Sequence, residues 1–360
     1  MKTSGNIEIQ EIEKSRIDET DLSNPGFGRI FSDHMLEVKY EDGTWQQPVI
    51  KPYGTIEITP AMHALHYGQE VFEGMKAYYT GGDSVNLFRI EKNYERMANS
   101  CRRLCIPPVS KEVFMEGVRT LVRLDSDWVP QGEDGSLYIR PLACSWDSVI
   151  AARASQTYRF YIITSPVGAY YSKPVQLLTS QKYVRAVKGG VGEAKAAGNY
   201  GGSFYPASLA HEKGFDQMLW LDAFEHKYIE EVGTMNIFFL IDNVLITPPL
   251  EGTILPGVTR DSVIKLAKSW DMSVEVRRIT IDEVMEAGRD GTLQEVFGSG
   301  TAAVISPVQS ICHDGEVVSV HEKQRGPVGQ KLYDTIYGIQ TGKKDDPFDW
   351  VESVPLTVAG

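Results

Sequence analysis

Long apolar runs are the first thing this sequence lacks: no stretch approaches the roughly 20 apolar residues that a membrane-crossing helix needs. The residues up to Asp21 are polar and acidic, without the apolar core of a secretion signal, so a cytoplasmic protein is expected. Cysteine is scarce. Cys101, Cys105, Cys144 and Cys312 are too few and too scattered for a disulfide framework. Cys101 and Cys105 stand at helical i, i+4 spacing, but no nearby pair completes a metal site, so no metal is expected and both read as buried thiols. Positive charge is short as well. Lys and Arg number 36 against 48 Asp and Glu, and the net charge of -12 argues against nucleic acid or an anionic membrane as a main partner. An anionic ligand must then be met by local donors. Internal repeats and low-complexity tracts are also absent.

What is present is an ordinary globular composition, 42% hydrophobic and 23% charged, in a chain of 360 residues. That length exceeds one comfortable core, so two domains are expected. Residues 1–26 read as an arm ending at Asn24-Pro25-Gly26, and 27–170 as a smaller N-terminal domain. The pattern breaks at Val167 to Pro174; residues 171–178 read as a linker and 179–360 as a larger domain. Alternation predicts strands at Met35 to Tyr40, Val85 to Phe88, Ser136 to Leu142, Tyr158 to Thr164, Val175 to Leu178 and Gln217 to Leu221. Asn236 to Ile246 reads as a hairpin about Asp242-Asn243. The 3.6-residue period predicts helices at Ile90 to Leu104, Lys111 to Leu124, Tyr205 to Lys213, Thr259 to Trp270 and Ile281 to Ala287. On the first of these, Tyr94, Met97, Cys101 and Leu104 form the apolar stripe and Arg96 lies beside it.

The stretch around which the chain is organised is Val187 to Ser203, with six glycines and Lys195 in its middle. Glycine-rich sequence alone favours a flexible polar loop. The alternative is a lysine that backbones can approach closely, because glycine brings no Cβ. A phosphate-cradling P-loop is excluded, since Ala194 precedes Lys195 and Ala196 follows it, leaving no hydroxyl for magnesium. Gly298-Ser299-Gly300-Thr301-Ala302-Ala303 fits the loosest dinucleotide fingerprint, but Pro307 interrupts the helix that should follow. A single lysine in this setting suits Schiff-base chemistry with a carbonyl cofactor. Such a cofactor asks for amides at a helix N-terminus and an arginine for its phosphate, a carboxylate for its pyridine nitrogen and a donor for its phenolate. Val258 and Thr259, at the start of a predicted helix, can supply the amides. Glu231, more often a surface group in such a run, can supply the carboxylate, and Tyr200 the phenol.

Four spaced runs carry a family resemblance: Gly198-Asn199-Tyr200-Gly201 after Lys195, Glu231-Val232-Gly233-Thr234-Met235-Asn236, Leu255-Pro256-Gly257-Val258-Thr259-Arg260, and Phe297-Gly298-Ser299-Gly300-Thr301-Ala302. Together with Phe31 to Met35, Leu65-His66-Tyr67, Phe72-Glu73-Gly74-Met75-Lys76 and Ser136 to Pro141, they resemble the branched-chain amino acid aminotransferases. These belong to class IV, the fold-type IV pyridoxal phosphate enzymes, and the likeness is to the longer bacterial form, over about residues 25–340. The resemblance implies an α+β fold, with an N-terminal α/β sandwich-like domain, a C-terminal pseudo-barrel domain and pyridoxal 5'-phosphate between them. It implies a homodimer, with the Trp146 to Ala152 loop reaching the neighbouring subunit.

By the same resemblance, Lys195 carries the internal aldimine and moves the proton between the substrate α-carbon and the cofactor. Glu231 pairs with the pyridinium and Tyr200 with the phenolate; Arg96, the Val258 and Thr259 amides and Thr301 meet the phosphate, and Arg185 lies nearby. Substrate sits against Phe27, Tyr67, Phe72, Tyr138, Tyr170 and Thr234, its carboxylate on the Thr301 and Ala302 amides and Tyr67. Arg140, which strand position alone leaves as a surface charge, receives the side-chain carboxylate of glutamate. The implied reaction is ping-pong transfer of the amino group from L-leucine, L-isoleucine or L-valine to 2-oxoglutarate, and the reverse. Where animal members carry a Cys-x-x-Cys pair, this chain has Ala303 and Ser306, so no thiol switch of that kind is expected. A D-amino acid aminotransferase or aminodeoxychorismate lyase of the same fold, or a scaffold that binds ligand without chemistry, are the competing readings.

Overall fold

Apolar alternation along 136–145 and 158–167 builds the centre of one sheet. Ser136–Ser145 and Tyr158–Val167 pair antiparallel over their whole length, and Leu137, Ile139, Phe160 and Ile162 are buried. The structure, a computed structural model, describes residues 2–132, 135–168, 173–320 and 325–356. The chain divides into two units. The first is Met1–Tyr170, Ala194–Ala197 and Gly338–Gly360; the second is Tyr171–Glu193 and Gly198–Tyr337.

In the first unit the sheet runs, in spatial order, Lys2–Ser4, Ile7–Ile9, Val49–Pro52, His34–Glu41, Tyr158–Val167, Ser136–Ser145, Met75–Tyr79, Ser84–Phe88 and Val351–Pro355. Its helices are α1 (His63–Tyr67), α2 (Ile90–Arg103) and α3 (Lys111–Leu124). The Ser110 hydroxyl caps α3 by accepting from the Val113 amide at 3.2 Å. Phe114, Val118, Leu121 and Val122 on α3 pack into the same core as Leu36, Val38 and Leu87.

Three features depart from the sequence reading. Ile7–Ile9 is a strand, parallel to Val49–Pro52, with Ile7 2% exposed, so part of the expected arm belongs to the sheet. Three alternating residues are too few to show as a period. Cys101 and Cys144 are buried, and burial pushes each thiol up to about 12. Cys105, however, is exposed, because α2 ends at Arg103 and Cys105 turns out with a φ of +56°. The third departure is the chain's return to the first unit at Ala194–Ala197 and again from Gly338, which a single boundary near 170 does not describe.

The second unit holds a mixed sheet in the order Ile229–Val232, Gln217–Leu221, Val175–Thr179, Val304–His313, Leu293–Gly300, Met235–Ile241, Val244–Thr247 and Ser273–Val276. Ile229–Val232 also pairs with Met235–Ile241, so six of these strands close into a barrel and lose their free edges. The hairpin turns where expected, with Asp242 and Asn243 both at positive φ. α4 (Ala197–Gly201) carries the chain out of the first unit, and α5 (Phe204–Glu212), α6 (Val258–Ser269) and α7 (Ile281–Asp290) lie against the barrel strands; α8 (Pro327–Gln340) leads back to the first unit. This is a two-domain α+β architecture. Among the described residues no helix is long and apolar enough to cross a membrane.

Candidate active site

Lys195 sits on a clamped backbone within the first unit. Its amide donates to the buried Ser100 hydroxyl at 2.9 Å, and its carbonyl accepts from the Phe72 amide at 3.1 Å. Its ammonium lies 4.5 Å from the centre of the Phe72 ring. Burial lowers the Lys195 pKa to about 8; Arg96 and Arg140 act in the same direction, while Glu73 and Tyr138 oppose them. An amine with that pKa is partly neutral near pH 8, the form able to attack a carbonyl or accept a proton.

The side chains around the lysine follow from a change of partner along one strand. Ser136–Ser145 pairs with Met75–Tyr79 at one end and with Glu70–Phe72 at the other, which leaves Glu73-Gly74 opposite Arg140 and Pro141. A Cβ on Gly74 would overlap the Tyr138 hydroxyl, so glycine here leaves room for that ring. Arg140 Nη2 donates to that hydroxyl at 3.0 Å, and its guanidinium lies 4.6 Å from the Phe72 ring centre. Phe27 meets Tyr138 edge-on at 5.0 Å. Arg140 Nε is buried without a hydrogen-bond partner. Tyr67 closes α1 against the His63 ring, 4.7 Å away. Tyr170 lies outside the described residues.

Arg96 is not a helix-surface charge. It is 7% exposed, and a carboxylate that sequence reasoning missed holds it: Nε donates to Glu73 Oε1 at 2.6 Å and Nη2 to Oε2 at 2.8 Å. Asn93, one turn earlier on α2, donates to Glu73 Oε2 at 2.9 Å. Asn93, Arg96 and Ser100 thus form a second buried stripe on α2, a polar one at i, i+3, i+7.

The second unit gathers a different group. Arg185, Asn199, Tyr200, Ser203, Glu231 and Thr234 line a narrow cleft. Arg185 Nε stands 2.6 Å from Glu231 Oε2, at an angle that makes an ion pair and not an aligned hydrogen bond. Arg185 also donates to the Gly192 carbonyl at 3.1 Å and to that of Thr253. Gly192 itself packs so closely on Thr253 that a Cβ would overlap its carbonyl, which explains a glycine there. Asn236, also missed from sequence, donates to Glu231 Oε1 and to the Leu255 carbonyl, both at 2.9 Å. Sheet register places Glu231, Asn236 and Ser299 side by side on one face, with the Ser299 hydroxyl buried and unpartnered. Leu255 leads to Val258 and Thr259, which open α6 behind Gly257, an N-cap with no side chain to satisfy the first amides. Thr301 and Ala302 form the turn that follows Leu293–Gly300.

A clamped lysine of lowered pKa and a buried arginine in the first unit, and a carboxylate in a polar row on the closed barrel of the second, point to one class of protein. Residues 70–311 match the family model described as "Amino-transferase class IV". A Bacillus subtilis (strain 168) protein, "Branched-chain-amino-acid aminotransferase 2", is 49% identical over 97% of this chain and 96% of its own length. Among solved structures, the branched-chain aminotransferase of Thermoproteus uzoniensis with norvaline superposes with a TM-score of 0.74 at 29% identity, covering 89% of this chain and 99% of that one. The T.th. branched-chain amino acid aminotransferase complexed with N-(5'-phosphopyridoxyl)-L-glutamate gives 0.73 at 29%, covering 88% and 97%. The chain belongs to the branched-chain-amino-acid aminotransferases of class IV, and its fold is the fold-type IV architecture.

Proposed function

We propose that the enzyme transfers the amino group of L-leucine, L-isoleucine or L-valine to 2-oxoglutarate, giving the branched-chain 2-oxo acid and L-glutamate, and runs in both directions. The observation that carries this reading is Arg140: a cation with a buried, unpartnered Nε, set against the Phe72 and Tyr138 rings, with Phe27 edge-on to Tyr138. Aromatic walls receive a branched apolar side chain, and a single donor at their edge receives the side-chain carboxylate of glutamate.

Pyridoxal 5'-phosphate is the cofactor this reading requires, and the residues present fit it. The Lys195 amine has its pKa lowered to about 8, and the Ser299 hydroxyl beside Asn236 is a buried polar atom without a partner. Bound, the cofactor supplies an electron sink for charge developing at the substrate α-carbon. Lys195 would bond to its aldehyde carbon, and Arg96 with the first amides of α6 and Thr301 would hold its phosphate. Glu231, oriented by Asn236 and charge-balanced by Arg185, would meet its ring nitrogen, and Tyr200 its phenolate oxygen. Once released, the Lys195 Nζ would hold the proton taken from the α-carbon. Tyr67 and the Thr301 and Ala302 amides would take the substrate carboxylate. The norvaline bound by the archaeal relative and the phosphopyridoxyl-glutamate bound by the T.th. relative support both halves of the reading.

The test is Arg140→Leu. Loss of a charged hydrogen bond predicts a KM for 2-oxoglutarate raised about 10- to 100-fold with the KM for L-leucine little changed; equal shifts for both substrates would remove Arg140 from this role.

We further propose a cytoplasmic homodimer. Ile56, Ile58, Val149 and Ile150 are exposed on two loops of the first unit joined at Thr59 and Ser148, whose hydroxyls lie 2.5 Å apart, and Leu65 is exposed on α1. Light scattering should give twice the chain mass, and a monomer mass would contradict the proposal.

A further inference from the structure

We propose that Glu73 is a positioning residue for transamination: its buried carboxylate fixes the Arg96 fork and sets a negative charge against the Lys195 amine, aligning the phosphate-binding and reacting groups through one side chain. The inference deepens the cofactor reading above and rests on it.

Glu73 is fully buried, and every contact it makes leads to the site. Arg96 takes both its oxygens, at 2.6 and 2.8 Å, and Asn93 and the Gly74 amide donate to Oε2 at 2.9 and 3.1 Å. The guanidinium is held along its Nε–Nη2 edge, which fixes the plane of the fork. Burial works to raise the Glu73 pKa, but the charges of Arg96 and Lys195 and the hydrogen bonds from Arg96 and Asn93 outweigh it and hold it below the usual range. The carboxylate is therefore an anion within the first unit's own site. The backbone on either side serves the same centre. The Phe72 amide donates to the Lys195 carbonyl, and Gly74 makes room for the Tyr138 hydroxyl.

A buried ion pair can be purely structural, and the sign of its effect on Lys195 separates the two cases. In the first unit four groups act on that amine: Glu73 from the Phe72–Met75 junction, Arg96 from α2, and Tyr138 and Arg140 from the strand Ser136–Ser145. Glu73→Gln keeps the shape and removes the anion, leaving both arginines to favour the neutral amine, so the Lys195 midpoint falls. Arg96→Gln removes a cation and leaves Glu73 unopposed, so the midpoint rises. A structural pair would destabilise both variants without moving the midpoint in opposite directions.

The experiment uses the full-length chain freed of cofactor. A short pulse of an amine-acylating reagent is applied across pH, and modification of the Lys195 peptide is read by mass spectrometry. The wild type should titrate at about 8. Glu73→Gln should titrate about one pH unit or more lower, and Arg96→Gln higher by a similar amount. A Glu73→Gln midpoint that is unmoved or raised overturns the proposal. If circular dichroism shows Glu73→Gln unfolded, the double variant Glu73→Gln/Arg96→Gln, which leaves neither charge of the pair buried alone, is compared with Arg96→Gln: a midpoint lower by about one pH unit or more in the double variant supports the Glu73 role, and equal midpoints overturn it. The cofactor reading is checked separately, by borohydride reduction of wild-type protein loaded with pyridoxal phosphate. No label on Lys195 would sink that reading whatever the midpoints do, and label with unmoved midpoints would sink the Glu73 role alone.

Discussion

Lys195→Ala is expected to abolish turnover, by at least about 10⁴-fold, the upper reach of what a positioned acid–base group contributes. On the proposed reading two functions leave with one side chain: the covalent hold on the cofactor and the base that carries the α-proton. The cations that act on it, Arg96 and Arg140, are guanidinium groups and not amines. The fold should survive. The clamps on residue 195 are its amide to Ser100 and its carbonyl from Phe72, and alanine keeps both. The variant should therefore melt near the wild-type temperature and retain cofactor through its phosphate, now removable by dialysis. Residual turnover above about one part in 10² would contradict the assignment, because an acid–base role even at its weaker end is worth about 10².

Glu231→Ala should lower kcat by roughly 10²- to 10³-fold, the scale for removing one preorganised electrostatic contact. It should also destabilise the second unit. Arg185 is nearly buried and would lose its ion-pair partner, and breaking a buried pair in this way costs about 3–5 kcal/mol. Asn236 would lose its acceptor too, loosening its link to the Leu255 carbonyl ahead of α6. Glu231→Gln separates the two effects. It keeps a hydrogen-bonding oxygen for Asn236 and removes the charge, so kcat should fall nearly as far with a smaller loss of stability. Near-normal kcat in Glu231→Gln, measured on fully loaded enzyme, would take the ring nitrogen from this residue.

Much of this architecture is legible in the sequence where local period and tertiary burial agree. Lys111–Leu124 and Gln217–Leu221 form where their patterns place them, and the turn at Asp242-Asn243 follows from two residues that tolerate positive φ. Elements stabilised by distant partners are not legible. The N-terminus of α8 is capped by Glu295, which accepts from the Val328 and Gly329 amides at 2.8 Å from more than thirty residues away. Nothing near Pro327 announces that carboxylate. The site divides in the same way. Lys195 stands out amid its glycines, and the family motifs mark Glu231 and Tyr200. Glu73 and Asn236 act by holding other side chains, and strand alternation gives such residues no distinctive pattern. Arg96 was readable in principle, because Asn93, Arg96 and Ser100 repeat at helical spacing beside the apolar stripe. A polar stripe is ordinarily a solvated face, and only the buried Glu73 turns it inward.

The central claim is an L-specific branched-chain aminotransferase with Lys195 at its centre, and a half-reaction tests it most directly. Wild-type enzyme loaded with pyridoxal phosphate is mixed with L-leucine, without any oxo acid, and in parallel with D-alanine, while the cofactor's absorbance is followed. The account predicts conversion to the pyridoxamine form with L-leucine alone. Conversion with D-alanine instead, or with neither amino acid, would contradict it.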